Sequence, residues 1–165
     1  MDESAFRTLY SQTAPRLLAY VRRAAGNATL ADDILQETFY RFLRANPPTM
    51  EAAATKAYLY RIASALLTDH WRQAKRERLW SMANPFRNEK VETPELPGDA
   101  MSAFASLKPQ EQSLLWLAYV EGFDHREISS ALQLKEGSIR VLLFRARKKL
   151  AGMLRKRGSS LKEVL

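Results

Sequence analysis

The chain has 165 residues, 46% of them hydrophobic, which is enough apolar material for one medium or two small packed cores and too much for a disordered tail. It contains no cysteine, which excludes a disulfide framework, a thiolate metal site and a cysteine nucleophile; its two histidines, His70 and His125, are far apart in sequence and form no zinc-ligand pair. A net charge of +8 and a pI near 9.9 favour a polyanionic partner or an acidic protein surface, while the absence of a basic-then-apolar leader and of any membrane-length apolar run leads us to expect a cytoplasmic protein with no membrane insertion.

Glycine is scarce and helix-period apolar patterns recur along the chain. We therefore expect an all-α fold: two small helical domains joined by a flexible linker, the second containing a helix-turn-helix. The first helix spans about 3–24, either continuous or interrupted at Pro15, with Phe6, Leu9, Leu17, Leu18 and Val21 as apolar positions and Gly26-Asn27 as its stop. A second, about 29–44, carries Leu30, Ile34, Leu35, Phe39, Phe42 and Leu43 inward and ends at Asn46-Pro47-Pro48. Away from that apolar face lie Asp33, Gln36, Glu37 and Tyr40, spaced i, i+3, i+4, i+7. This stripe reads either as a solvated face or as a docking surface for a basic protein partner. DNA would be repelled there.

The third helix begins near Glu51 or Thr55 and turns Leu59, Ile62, Ala63, Leu66 and Leu67 inward before running on through WRQAKRERLW. Tyr58, Tyr60, Arg61, Trp71, Arg72, Lys75, Arg76, Arg78 and Trp80 interleave aromatic and basic chains along it. That composition suits a single strand whose bases stack on rings while cations follow its phosphates. Tyr60 and Trp71 are equally suited to core packing. His70 has no titratable partner at a catalytic spacing, and no enzyme constellation, cofactor motif or metal site is found in the chain. From Ser81 to about Ala100, Pro85, Pro94, Pro97 and Gly98 stand among scattered acids. We expect domains at 1–80 and 101–165 with a linker at 81–100, whose root-mean-square reach of roughly 25 Å would let them sit apart.

Helices resume at about 101–106, 109–120, 125–132 and 136–155. HREISSAL, QLK and EGSIRVLLFRARKKL read as a short helix, a tight turn and a longer helix, with Ile128, Ala131, Leu132, Leu134, Ile139 and Leu143 as the wedge between them. From Ile139 to Arg157 there are eight Lys or Arg and no acid, unlike the mixed signs of a merely solvated helix. In SIRVLLFRAR, Ile139, Leu143 and Ala146 make a core stripe. Rotation by about 100° per residue puts Gly137, Ser138, Val141, Phe144, Arg145 and Lys148 opposite it, with Arg140 on the flank. Such a surface suits the DNA major groove: Arg pairs with guanine, Ser reaches phosphate or a base edge, and Val and Phe meet thymine methyls.

Together the stretches APRLLAYVRR, ADDILQETFYRFLR, AYLYRIASALLTDHWR and LKPQEQSLLWLAYVEGFDHREISSALQLKEGSIRVLLFRARKKL resemble, in order, the extracytoplasmic-function (ECF) group of the bacterial sigma-70 family. The resemblance implies a sigma factor that binds core RNA polymerase and promoter DNA. It implies docking of the Asp33, Gln36, Glu37 and Tyr40 stripe on the clamp helices of the largest polymerase subunit. It further implies minus-10 recognition by the third helix, through Tyr58, Tyr60, Arg61, Ala65, Trp71, Arg72, Lys75 and Arg76. The minus-35 duplex would meet Arg140, Val141, Phe144 and Arg145, on the face that also carries Gly137, Ser138 and Lys148. Many relatives are held by an anti-sigma factor, so such a partner is expected here. Four positions depart from the common pattern. Ala65 replaces Asn near the minus-10 pocket, Val141 replaces a frequent Ser, Leu142 replaces a basic residue, and Gln133 stands where the turn usually has Gly, which demands either a left-handed Gln or a different turn. Two other readings of the residues are a helix-turn-helix regulator acting alone and a helical adaptor that binds only proteins.

Overall fold

Asp2 opens the first helix of the computed structural model, which describes residues 1–83 and 103–156; its side chain accepts the Ala5 N–H at 2.7 Å. Helix α1 runs Glu3–Ala25 without a break at Pro15 and ends at Gly26, whose φ of 69° supplies the left-handed cap expected there. Helix α2, Ala28–Ala45, starts on an Asn27 cap that accepts the Leu30 N–H and stops at Asn46, also left-handed and followed by the two prolines. Helix α3, Ala52–Ala83, is a single 32-residue rod that carries helical structure three residues past the expected domain edge. Most of the expected linker, and the start of the expected 101–106 helix, lie outside the described residues; 103–105 form a helical turn.

The second half holds α4, Pro109–Tyr119, α5, His125–Leu132, and α6, Glu136–Lys156. A capping box starts α5: Asp124 accepts the Glu127 N–H at 2.8 Å and Glu127 accepts the Asp124 N–H at 2.9 Å. Between α5 and α6, Gln133 takes the left-handed conformation at φ 56° and ψ 45°. Of the two ways to replace the usual glycine, this chain uses a left-handed Gln. Its side-chain amide donates to Ser130 O, and Ser129 Oγ donates to Leu134 O at 2.6 Å, which ties the turn down. Among the described residues there is no strand, and no helix is long and apolar enough to cross a membrane.

Helices α1, α2 and α3 pack around Leu17, Val21, Ala31, Ile34, Phe39, Phe42, Leu59 and Leu67, while α4, α5 and α6 close around Leu114, Leu117, Ile128, Ala131, Ile139 and Leu143. The wedge expected between α5 and α6 forms from the named residues, with Leu132 and Leu134 at its half-buried edge. The two halves do not stand apart. Helix α3 lies along α5, α1 and α3 meet α4, and the buried apolar residues of both halves join in one continuous cluster.

Candidate nucleic-acid interface

Helix α6 presents the face that its periodicity predicts. Ile139, Leu143 and Ala146 are buried, whereas Val141 and Phe144 are 48% and 57% exposed beside Arg140, Arg145 and Lys148, all exposed. Gly137 and Ser138 sit in the first turn at the same end. Among the described residues this is an apolar pair within a cationic surface, without an acidic side chain on the helix after Glu136. Its chemistry matches a duplex groove, with cations for phosphate and guanine edges and apolar groups for methyls. Arg147, on the flank, donates to the Tyr119 hydroxyl at 2.7 Å, so α4 steadies the back of the helix.

The α2 stripe is equally open. Asp33, Gln36 and Tyr40 are exposed and Glu37 is half-buried, while Ile34, Leu35, Thr38, Phe39 and Phe42 turn inward. Glu37 is held by Arg41 Nε at 2.7 Å, one helical turn on.

Helix α3 is a different matter. Arg61, Ala65, Arg72, Lys75 and Arg76 are exposed, but the aromatics are engaged. Tyr58 sets its ring against Phe42, centroids 5.8 Å apart, and Trp71 is half-buried with Nε1 donating to Ala24 O at 3.2 Å. Tyr60 is fully buried, its ring against Tyr20 at 5.2 Å and Phe123 at 5.6 Å. Of its two sequence readings, packing is the one this arrangement adopts, and the ring offers no face to a base. The reason is tertiary: Phe123 comes from the other half of the chain. Ala65, Trp71, Arg72 and Lys75 line one wall of a cleft of about 800 Å³ whose other wall is Lys108, Ser113 and the Leu132–Leu134 turn.

Several residues that build this junction carry no sequence signal of function. Tyr20 donates its hydroxyl to Ser113 Oγ at 2.8 Å and accepts from Ser64 Oγ at 2.8 Å, a polar bridge buried between α1, α3 and α4. Burial pushes the Tyr20 hydroxyl up from its ordinary pKa, against the smaller opposing pull of the two serines. Tyr60 donates to Glu121 Oε1; burial raises its pKa strongly, and the adjacent carboxylate raises it further. The Glu121 side chain has no solvent exposure. Its Oε2 lies 2.6 Å from Lys56 Nζ and 3.7 Å from Arg16, with the ammonium off the direction of an aligned hydrogen bond. A buried carboxylate flanked by two cations from another segment is a tertiary feature. Only the presence of one acid in an otherwise apolar turn, YVEGF, could have drawn attention to it.

Comparison with known proteins extends these observations. Residues 9–77 match the Sigma-70 region 2 family and residues 98–150 match Sigma-70, region 4. The chain is 30% identical over 160 residues to the ECF RNA polymerase sigma factor SigE of Mycolicibacterium smegmatis, covering 92% of this chain and 62% of SigE. It is 29% identical to the ECF sigma factor BldN of Streptomyces coelicolor, covering 93% of this chain and 61% of BldN. It thus spans about three fifths of these two relatives, but 90% of the RNA polymerase sigma factor CarQ of Myxococcus xanthus, to which it is 26% identical over 92% of its own length. Among solved structures the fold is similar to the sigma factor RpoE in complex with the anti-sigma factor NepR from Bartonella quintana. The TM-score is 0.72 at 20% identity, with 92% of this chain and 97% of that one covered. It is similar also to CnrH in complex with the cytosolic domain of CnrY, with a TM-score of 0.65 at 21% identity and coverage of 94% and 90%. With both sigma-70 regions matched in order on two helical halves, and an exposed cationic helix in the second, the chain belongs to the ECF group of the sigma-70 family.

Proposed function

We propose that this protein is a non-catalytic specificity subunit of RNA polymerase. It binds core polymerase through Asp33, Gln36, Glu37 and Tyr40, and it directs promoter-specific initiation. The α3 surface that carries Tyr58, Arg61, Ala65, Trp71, Arg72, Lys75 and Arg76 meets the minus-10 element, and Tyr60 joins it once the halves separate. The α6 face of Gly137, Ser138, Arg140, Val141, Phe144, Arg145 and Lys148 meets the minus-35 duplex. The working units are 1–80 and 101–165, acting in the cytoplasm where polymerase and promoter are found. One observation carries this reading: a single chain exposes an acidic stripe on α2 and a cationic, apolar-studded face on α6. A DNA-binding regulator acting alone needs no acidic docking stripe, and a protein adaptor needs no Arg-rich groove-reading face.

Two solved relatives, RpoE and CnrH, are complexes with NepR and CnrY, which supports an anti-sigma partner for this chain too. The deciding experiment combines the purified protein with core polymerase and a library of random promoters. Promoter-specific transcripts in the absence of any other sigma factor are the expected result. Tight duplex binding with no affinity for core polymerase would instead make the protein a stand-alone regulator.

A further inference from the structure

We propose that the cleft between α3 and the start of α4 is a binding site for a nucleoside triphosphate. Trp71, Arg72, Lys75 and Arg78 border it from α3, and Lys108 and Ser113 border it from α4. At about 800 Å³ it has room for a ligand of nucleotide size. Four cations line it against one acid, Asp69. None of the four makes an ion pair with a described residue, whereas Lys56 and Lys149 both do so elsewhere in the molecule. Unpaired like charges gathered round one cavity repel one another, and a polyanion set among them removes that repulsion.

A second observation is independent of charge. Ser64 Oγ donates to Tyr20, and the one proton of the Tyr20 hydroxyl goes to Ser113 Oγ. Ser113 is 2% exposed, and its own O–H donates to no described group. A buried relay that ends on an unused proton at the wall of a cationic cleft is a donor without its acceptor. A phosphate oxygen supplies one. The start of α4 is open as well. Lys108 holds the cap position with no side-chain oxygen, and Pro109 follows it, so the N–H groups of Gln110 and Glu111 have no side-chain cap. Free donors and the helix dipole both favour phosphate there. The ring partner is Trp71: its Nε1 donates to Ala24 O at 3.2 Å, which fixes the half-buried indole at the cleft wall as a stacking surface for a base. Phosphates among the cations and a base at Trp71 make the ligand a nucleotide rather than a free anion. Arg72 and Lys75 also belong to the proposed minus-10 surface, so a bound nucleotide competes with a single strand there. The site itself rests on the cleft and not on the sigma-factor reading.

Equilibrium dialysis of the full chain against labelled ATP, at about 0.15 M salt and without divalent metal, tests the site. One saturable site per chain is expected. Arg78→Gln on α3 and Lys108→Gln on α4 should each weaken it about tenfold, and together about a hundredfold, with helical circular dichroism unchanged. Arg126→Gln and Arg155→Gln, both exposed and neither bordering the cleft, remove the same charge and should bind as the parent does. Inorganic triphosphate, which lacks the ring, should compete at least about tenfold more weakly than unlabelled ATP, and adenosine should not compete. No saturable binding of ATP, or equal losses in the Arg126 and Arg155 variants, would overturn the site. Inorganic triphosphate competing as well as ATP would overturn the nucleoside assignment.

Discussion

The α6 face follows from the rotation of successive residues about a helix axis, the α3 surface from its mixture of aromatic and basic side chains, and the two differ in how much of each remains available. On α6 the residues opposite the core stripe are exposed apart from half-buried Ser138, because α4 and α5 cover only one side of it. On α3 the two aromatics share the inward face, since Tyr60, Ser64, Leu67 and Trp71 follow one another at steps of three and four residues: Tyr60 is buried, Trp71 is half-buried against α1, and the exposed cations Arg72 and Lys75 line a cleft. Periodicity identifies which residues avoid the nearest core. It carries no information about a distant segment that covers the other face.

The contrast can be broken in measurable steps. The largest effect belongs to neither of these two helices. Asp33→Lys with Glu37→Lys on exposed α2 should abolish core-polymerase association while the helical fold persists, since only the Glu37–Arg41 pair, worth about 0.3–0.5 kcal/mol, is lost internally. Unchanged affinity in a pull-down would remove the docking assignment.

Next comes the buried seam. Tyr20→Phe deletes the hydroxyl that joins Ser64 to Ser113 and should cost about 1–3 kcal/mol in urea unfolding, more than any single change on the α6 face. The same seam makes stability fall in alkali. Tyr20 and Tyr60 have folded-state pKa values above that of an unfolded tyrosine, about 10. Their contribution is therefore fully present below about pH 10 and declines as the pH rises above it, where the unfolded chain releases protons that the folded one retains. Urea midpoints at pH 9 and pH 11 should diverge for the parent and diverge less for Tyr60→Phe. Equal divergence would place the alkaline sensitivity elsewhere.

On the open face, Arg145→Ala should cost about 1–3 kcal/mol of discrimination among upstream duplexes if the guanidinium pairs with a base. Equal weakening on every duplex would make it a phosphate contact. The smallest effect is at the turn: Gln133→Gly relieves a left-handed conformation that a side chain resists and should stabilise the protein by up to about 1 kcal/mol, less whatever the Ser130 contact contributes. A lowered melting temperature would show that the Gln side chain matters more than its backbone strain.

Much of this protein was legible before any coordinates. The helix ends at Gly26, Asn46 and Leu132, the α5–α6 wedge, the α2 stripe and the α6 face all follow from cap chemistry and a 3.6-residue period, which act over a few neighbouring residues. Pro15 could be read either way, and it resolved in favour of an unbroken helix; the expected edge at residue 80 fell inside α3, because Ser81–Ala83 continue it.

What the amino-acid sequence determined by itself is thus the helical framework and the chemical character of each helix face. What only the tertiary structure decided is which faces remain available: Tyr20 lies 93 residues from Ser113 and Tyr60 lies 61 from Glu121, yet each pair is joined by a hydrogen bond. Desolvating such polar groups costs free energy that is offset only where they meet as hydrogen-bonded partners, and no local pattern in the chain records which distant groups will pair.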